Sequence, residues 1–505
     1  MADWQSTITP PALARLLRAT GGAAPTGSGS ADAPGRRPAY RLLADQVRRL
    51  IGEGRLPVGT RMPAERELAG ALALSRTTIA TAYETLRAEG YLRSRRGAGS
   101  WTTLPADSTP PTDALFPLPP DSHGQLIDLG AASPTAPQPL LAEAAAGAVE
   151  LLPAYALGHG NYPTGVPVLR EVVARRFTER GLPTTPDQIL ITTGAMSALD
   201  LVRRSLLRRG DRVAVESPSY AHVLRALRQA EARLVPVPQH RPEGPGQLPC
   251  WDLADWRQVL RGAGPRLVYL IPDFHNPTGA LIGEEQRREL LAAARTAGSV
   301  VLVDETMAEL GWGTGQLPRP MAALDRAAEV VTVGSASKLV WGGLRVGWIR
   351  AAPALVRRLA ADRMHTDSGT PVLDQLICAA LLGERFTEVR EHRLAQLRED
   401  TAALLPALRE WLPQWRFAEP VGGMTLWIDI AGLSGAALSR AGEQAGLRIA
   451  AGSQFGADGA FEGYIRLPLT VPAQSAARAA ERLAAAARAA ERDRHGAPPV
   501  ATPAG

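Results

Sequence analysis

The chain has 505 residues, 45% of them hydrophobic, and a formal net charge of +6. No apolar run approaches the roughly 20 residues that a membrane-spanning helix needs, and two cysteines, Cys250 and Cys378, are too few for a disulfide framework or a cysteine metal cluster. No basic-then-apolar leader follows Met1, so the composition predicts a cytoplasmic protein of two or more domains, with both thiols buried.

The positive charge is concentrated. From Arg36 to Gly99, thirteen arginines face six acidic residues, so this stretch holds the whole excess. That is the charge footprint of a nucleic-acid-binding module attached to a near-neutral body.

Residues 1–39 read as a flexible arm: a short helical pattern at Ala12–Arg18 runs into Gly/Ala/Ser/Pro-rich sequence from Gly21 to Gly35. From Tyr40 the periodicity becomes regular. Leu43, Val47, Leu50 and Ile51 share one helical face, and Gly54 stops that helix. Pro63 opens a second helix over Ala64–Leu72. Ser75 suits the N-cap of a third, with Ile79, Tyr83 and Leu86 inward and Gly90 at its end. Tyr91–Arg95 and Ser100–Thr103 then flank Arg96-Gly97-Ala98-Gly99, a two-stranded hairpin with a basic turn.

Three short helices and a basic hairpin over residues 40–104 predict a winged helix-turn-helix. Its third helix would enter the major groove of a double-stranded operator with Ser75, Arg76, Thr77 and Thr78 leading. Arg66 would lie over the backbone, and Arg95, Arg96 and Gly97 on the wing would reach a phosphate or the minor groove. Charge alone equally suits a helical bundle with a solvated basic face. The residues Gly59-Thr60-Arg61-Met62-Pro63-Ala64-Glu65-Arg66-Glu67-Leu68-Ala69, Ser75–Ile79 and Leu86–Leu92 decide between them, because together they closely resemble the GntR family of bacterial regulators.

Residues 105–126, rich in proline and aspartate, predict a semi-rigid linker. Beyond them strands and helices alternate. Candidate strands are Ile189–Thr193, Arg212–Glu216, Leu267–Ile271, Val300–Asp304 and Val330–Gly334, with helices including Ala195–Leu207 and Glu284–Ala297. This predicts a large α/β domain over 127–492 with a mostly parallel sheet. Its last part is helical over Thr387–Leu412 and Pro472–Arg492, around Gly423–Ile428, and residues 493–505 form a disordered tail.

Within Gly334–Gly347 stands Lys338, the only lysine among 56 basic side chains. An amine can lose its proton near neutral pH and condense with an aldehyde, whereas a guanidinium cannot. A chain that uses arginine elsewhere and keeps one lysine, flanked by Ser335 and Ser337 and followed by Arg345, suggests a Schiff base. A pyridoxal 5′-phosphate site also needs an acid for the ring nitrogen, a donor to O3′, a stacking group and a phosphate cradle. Asp304, at a strand end, suits the ring nitrogen, although such an aspartate equally suits a helix cap. Asn276, in Asn276-Pro277-Thr278-Gly279, suits O3′, although that sequence is also a good turn. Gly194, Ala195 and Met196 open a helix where free N–H groups attract an anion. Ser335, Ser337 and Arg345 would complete that shell, and Tyr220 could stack on the ring.

Taken together, these residues resemble fold type I aminotransferases, with further marks at Asn161–Gly165, Leu169-Arg170-Glu171 and Tyr464–Leu467. The resemblance implies that Arg466 binds a substrate α-carboxylate and that Tyr162 reaches the phosphate of the neighbouring subunit. It also shows a departure. A tyrosine is usual two or three residues after the aspartate; here Thr306 and Met307 stand there, and the Thr306 hydroxyl can substitute as the donor to the cofactor, whereas a thioether cannot donate. A GntR-type domain, a proline-rich linker and an aminotransferase-like domain together resemble the MocR/GabR regulators. That resemblance implies a head-to-tail homodimer that binds DNA and responds to an amine, an amino acid or the cofactor. The competing expectation is a working aminotransferase that controls its own gene.

Overall fold

The computed structural model describes residues 7–18, 38–52, 54–95, 99–105, 126–240, 247–313, 317–325, 327–457 and 459–494. The tip of the wing at 96–98, most of the proline-rich linker and the tail from 495 lie outside the described residues.

Four helices, Pro10–Arg18, Ala39–Gly52, Glu65–Leu72 and Arg76–Ala88, share one small core with the antiparallel hairpin Leu92–Arg95 and Gly99–Thr102. The first helix corrects the expectation of a flexible arm. Leu13, Ala14 and Leu17 fall on one face and are buried, and prolines at its start cost nothing because the first-turn N–H groups have no helical partner. Ile8 N–H donates to Arg61 O at 3.2 Å, and Arg61 in turn bridges Trp101 on the hairpin. Helix Arg76–Ala88 begins as its sequence predicts: Ser75 Oγ accepts from Thr78 N–H at 3.0 Å.

The large domain is built on an eight-stranded sheet in the order Ile189–Thr192, Gly347–Arg350, Val330–Ser335, Val300–Asp304, Leu267–Leu270, Arg212–Ser217, Arg233–His240, Cys250–Trp251. Gly347–Arg350 runs antiparallel to both neighbours, and Cys250–Trp251 is antiparallel at the edge. The central strands are mostly aliphatic and buried on both faces, as a helix-covered parallel sheet requires. Three strands escape the sequence pattern, the two-residue edge strand Cys250–Trp251 among them. Arg233–His240 contains Pro236 and Pro238, which argue against a sheet interior, and it lies one place in from the edge. Gly347–Arg350 is only four residues long. Cys250 is a second correction: on its edge strand Trp251 points inward and Cys250 outward, so this thiol is exposed while Cys378 is buried.

A smaller sheet, ordered Thr425–Asp429, Tyr464–Pro468, Leu447–Ala451, Ile127–Leu129, packs with helices Phe386–Trp411, Gly435–Gln444 and Ala473–Arg494 around its own core. The first strand after the linker therefore pairs with one near the C-terminal end of the fold. Among the described residues, no helix is long and apolar enough to cross a membrane.

Candidate functional site

Parallel strands deliver their C-terminal ends to one side of a sheet, and ligands bind in the crevice there. Asp304 ends its strand at that edge, and Ser335 ends the next. Directly after Ser335 the chain makes a π-helical turn, Ser337–Trp341, which carries Lys338. Wide turns of this kind concentrate at functional sites. Arg393, fully buried, holds this one from below: its guanidinium donates to Leu339 O at 3.1 Å, to Val340 O, and to Thr135 O at 2.7 Å.

Lys338 Nζ donates to Ala132 O at 2.7 Å. Its pKa is lowered to about 8, first by burial and then by the Arg466 charge, with Asp304 acting in the opposite direction. Asp304 is buried, and burial raises its carboxyl above the ordinary carboxylate value, while bonds from Thr306 and Tyr269 and the charge of Lys338 oppose that rise. Thr306 N–H donates to Oδ1 and Tyr269 O–H donates to Oδ2, both at 3.0 Å. The hydroxyl of Thr306 also bonds this carboxylate. Met307 lies in the core.

Tyr220 belongs to the same electrostatic neighbourhood: burial raises its phenol to about 12, with Asp304 adding to the rise and Arg466 and Arg345 opposing it. Arg466 is 3% exposed and donates to Gly130 O, yet its Nε has no hydrogen-bond partner among the described residues. Burial lowers its pKa to about 10, with Tyr220 and Asp128 opposing. Asn276 is also buried, with Oδ1 lacking a partner among the described residues.

On the other flank, Gly194 adopts φ 101° and precedes helix Ala195–Leu206, so the amides of Ala195 and Met196 open toward the strand ends. A Cβ on Gly194 would sit 2.9 Å from an Arg345 guanidinium nitrogen, which donates to Thr193 O at 3.0 Å. The Ser335 and Ser337 hydroxyls bond one another. Helix amides, two hydroxyls and a guanidinium thus line one cradle that only glycine leaves open. Its donors fit a phosphate, Asp304 fits a cationic ring nitrogen, and Lys338 supplies the amine for an aldehyde, so the residues present fit pyridoxal 5′-phosphate.

Tyr162 lies apart from this group in the chain's own site contacts: its ring meets Tyr155 edge-on at 6.1 Å. Sequence reasoning also missed Tyr269, Arg393 and the carbonyls of Gly130 and Ala132. A lone hydroxyl in the aliphatic strand Leu267–Leu270 was the available signal for Tyr269.

In the small domain Ser75, Arg76 and Thr77 are exposed at the start of helix Arg76–Ala88, with Thr78 half-buried, and Arg66 is exposed on the preceding helix Glu65–Leu72. Arg76 keeps 75% of its side chain in solvent and makes one loose contact, 3.8 Å, with Glu65. The Ser75 and Thr78 hydroxyls bond each other at 2.8 Å. Arg95 is in the hairpin strand, its side chain outside the described residues, as are Arg96 and Gly97.

Fold and site together define an aminotransferase-type α/β domain joined to a winged helix. Residues 128–483 match the family of class I and II aminotransferases, and residues 39–101 match the bacterial regulatory proteins of the gntR family. Relatives include the uncharacterized HTH-type transcriptional regulator YdfD of Bacillus subtilis (strain 168), 29% identical over 78% of this chain and 84% of that one. The probable rhizopine catabolism regulatory protein MocR of Rhizobium meliloti is 28% identical over 75% of this chain and 78% of its own length. Among solved structures, the α-aminoadipate aminotransferase LysN of Thermus thermophilus, complexed with N-(5′-phosphopyridoxyl)-L-leucine, is 31% identical with a TM-score of 0.66, over 74% of this chain and 94% of that one. The chain belongs to the aminotransferase class I and II family and, through its N-terminal domain, to the MocR-like subgroup of GntR regulators.

Proposed function

We propose that this chain is a DNA-binding transcriptional regulator whose aminotransferase-like domain holds pyridoxal 5′-phosphate and senses an amine, an amino acid or the cofactor itself. The observation that carries this reading is the only lysine of the chain, set beside Asp304 and Arg466 in a protein whose basic excess lies in a winged helix. When bound, the cofactor supplies an aldehyde that condenses with amines and a ring that withdraws electrons. Lys338 anchors the aldehyde, and Asp304 keeps the ring nitrogen charged. Asn276 orients the O3′ side, Tyr220 covers the ring, and Gly194, Ala195, Met196, Ser335, Ser337 and Arg345 take the phosphate. The Thr306 amide and hydroxyl hold Asp304 in place. Arg466 receives the carboxylate of an amino acid effector, its buried Nε, unpartnered among the described residues, being the group such a ligand satisfies.

On the operator side, Arg66, Ser75, Arg76, Thr77, Thr78, Arg95, Arg96 and Gly97 form the contact surface. A cytoplasmic homodimer, arranged head to tail, places Tyr162 at its partner's phosphate. Leu157 at 91% exposed, with Val149 and Leu151 at 56% each, gives that neighbourhood an apolar surface for a second copy.

The test is to load the purified chain with pyridoxal 5′-phosphate and follow visible absorbance and operator binding together. Lys338→Ala should abolish the absorbance and the response of DNA binding to amino acids, leaving the winged helix folded; an unchanged response refutes the reading. Arg76→Ala should weaken operator binding by about 1–3 kcal/mol with the cofactor retained, and unchanged affinity would remove Arg76 from the interface. A second reading, a working aminotransferase, is favoured by the similarity to LysN. It takes precedence if the chain turns over an amino donor many times at ordinary enzyme rates.

A further inference from the structure

A single group of aromatic rings joins the site to the winged helix. The Arg466 guanidinium lies over the Phe455 ring, 5.3 Å from its centre. Phe455 O accepts from Ser219 N–H at 2.9 Å, so the same residue abuts the loop bearing Tyr220. Trp427, directly opposite Arg466 in the small sheet, meets Phe455 edge-on at 5.8 Å and stacks on Tyr464 at 5.2 Å with the rings 6° apart. Trp427 and Tyr464 both contact Phe461, at 5.8 and 6.1 Å.

Phe461 leaves this group toward the DNA-binding domain. Its backbone sits at φ 73°, a region disfavoured for any residue with a Cβ. Its N–H donates to Gly52 O, at the end of helix Ala39–Gly52, at 2.7 Å. Its ring lies against Gly54, where a Cβ would come within 2.4 Å of the ring and where φ is 66°. Glycine is thus needed at Gly54 for both conformation and space. Leu104, just beyond the wing, meets the same loop at Gly459.

We propose that Phe461 is a releasable dock: it holds the winged helix on the large domain, and a carboxylate taken up by Arg466 loosens it. The inference rests on the reading of Arg466 as the effector's carboxylate anchor. To accept a carboxylate in its fork, the guanidinium turns from Gly130 O, and the Phe455 ring beneath it loses its contact surface. Close-packed rings do not deform independently, so Trp427 and Phe461 shift with it. Because Phe461 is already in a disfavoured conformation, its contact with Gly52 and Gly54 is the part that gives way.

The experiment uses the full chain with Cys250→Ser and nitroxide labels at Glu84→Cys and Gln444→Cys, reporting the distance between the two domains. A narrow distance distribution is expected in this background. Phe461→Ala, Gly54→Ala and Arg466→Leu, each checked for a cooperative melt, should broaden it, while Lys338→Ala should leave it narrow. A distribution unchanged by Phe461→Ala or Gly54→Ala overturns the dock, and one unchanged by Arg466→Leu overturns its link to the site. Each of the twenty standard amino acids is then added to the chain loaded with pyridoxal 5′-phosphate. One that shifts the absorbance should also broaden the distances and change operator affinity by roughly 5–150-fold, a response lost in Phe461→Ala. An absorbance shift with the distances unmoved sinks the inference and spares the sensor. Failure of every amino acid to shift the absorbance removes the amino acid effector instead, with the labelled variants still deciding the dock.

Discussion

Lys338 is held ready to react by its surroundings. Burial and the Arg466 charge destabilise its ammonium, and Asp304 only partly restores it, so the pKa falls to about 8 from 10.5. Only the neutral amine attacks an aldehyde, so cofactor capture by the cofactor-free chain should rise with pH and reach its half-point near 8. Following absorbance after mixing with pyridoxal 5′-phosphate across pH 6.5–9.5 checks this; a rise centred near the ordinary lysine value of ~10.4 would contradict it. Asp304 shows the complementary arrangement. A carboxylate this buried is costly unless it is bonded and paired with a cation. Tyr269 and Thr306 supply the bonds, and a protonated ring nitrogen is the partner that the site's chemistry would supply. Tyr269 could not be assigned from the sequence because sheet register creates its contact. Tyr269 pairs with Leu302, so Asp304, two residues further along, stands on the same face.

At the scale of elements, helix Pro10–Arg18 is an integral part of the winged helix. Leu13→Ala should cost about 2–5 kcal/mol of that domain's stability, read as an earlier unfolding transition of the DNA-binding domain; a change below ~0.5 kcal/mol would return the segment to the status of an arm. The strands that carry Asp304 and Ser335 were readable because continuous aliphatic runs have few other uses. The recognition helix was readable because Ser75 announces its start. Arg233–His240 was not, since its two prolines mimic a loop, nor was the exposed side of Cys250, which depends on the inward turn of Trp251. The phosphate cradle was named residue by residue from the glycine turn before a helix and the anion-binding chemistry of two serines and an arginine, but its closeness depends on Gly194 and Arg345 meeting across the sheet. The carbonyls of Gly130 and Ala132 were not legible at all, because they follow a strand, Ile127–Leu129, whose place is set by pairing with Leu447–Ala451 far along the chain.

For the molecule as a whole, the division of labour follows the charge. The DNA-binding domain carries the positive excess, and the large domain, near neutral, carries the chemistry. Phe461 meets the DNA-binding domain through its ring on Gly54 and its N–H on Gly52 O, both uncharged contacts, so salt should weaken operator binding through phosphate contacts much more than it disturbs the dock.

A chain with one lysine also has one peptide bond that a lysine-specific endoprotease can cut, the bond after Lys338, yielding fragments 1–338 and 339–505. That bond lies within a π-helical turn bolted by Arg393, so the folded chain exposes it only when the turn opens. Attachment of pyridoxal 5′-phosphate to Lys338 removes the side chain that the protease recognises. The appearance of two bands on a gel thus becomes a clock for this turn, and cofactor loading should stop it. Cutting at an equal rate with and without the cofactor would show Lys338 unmodified.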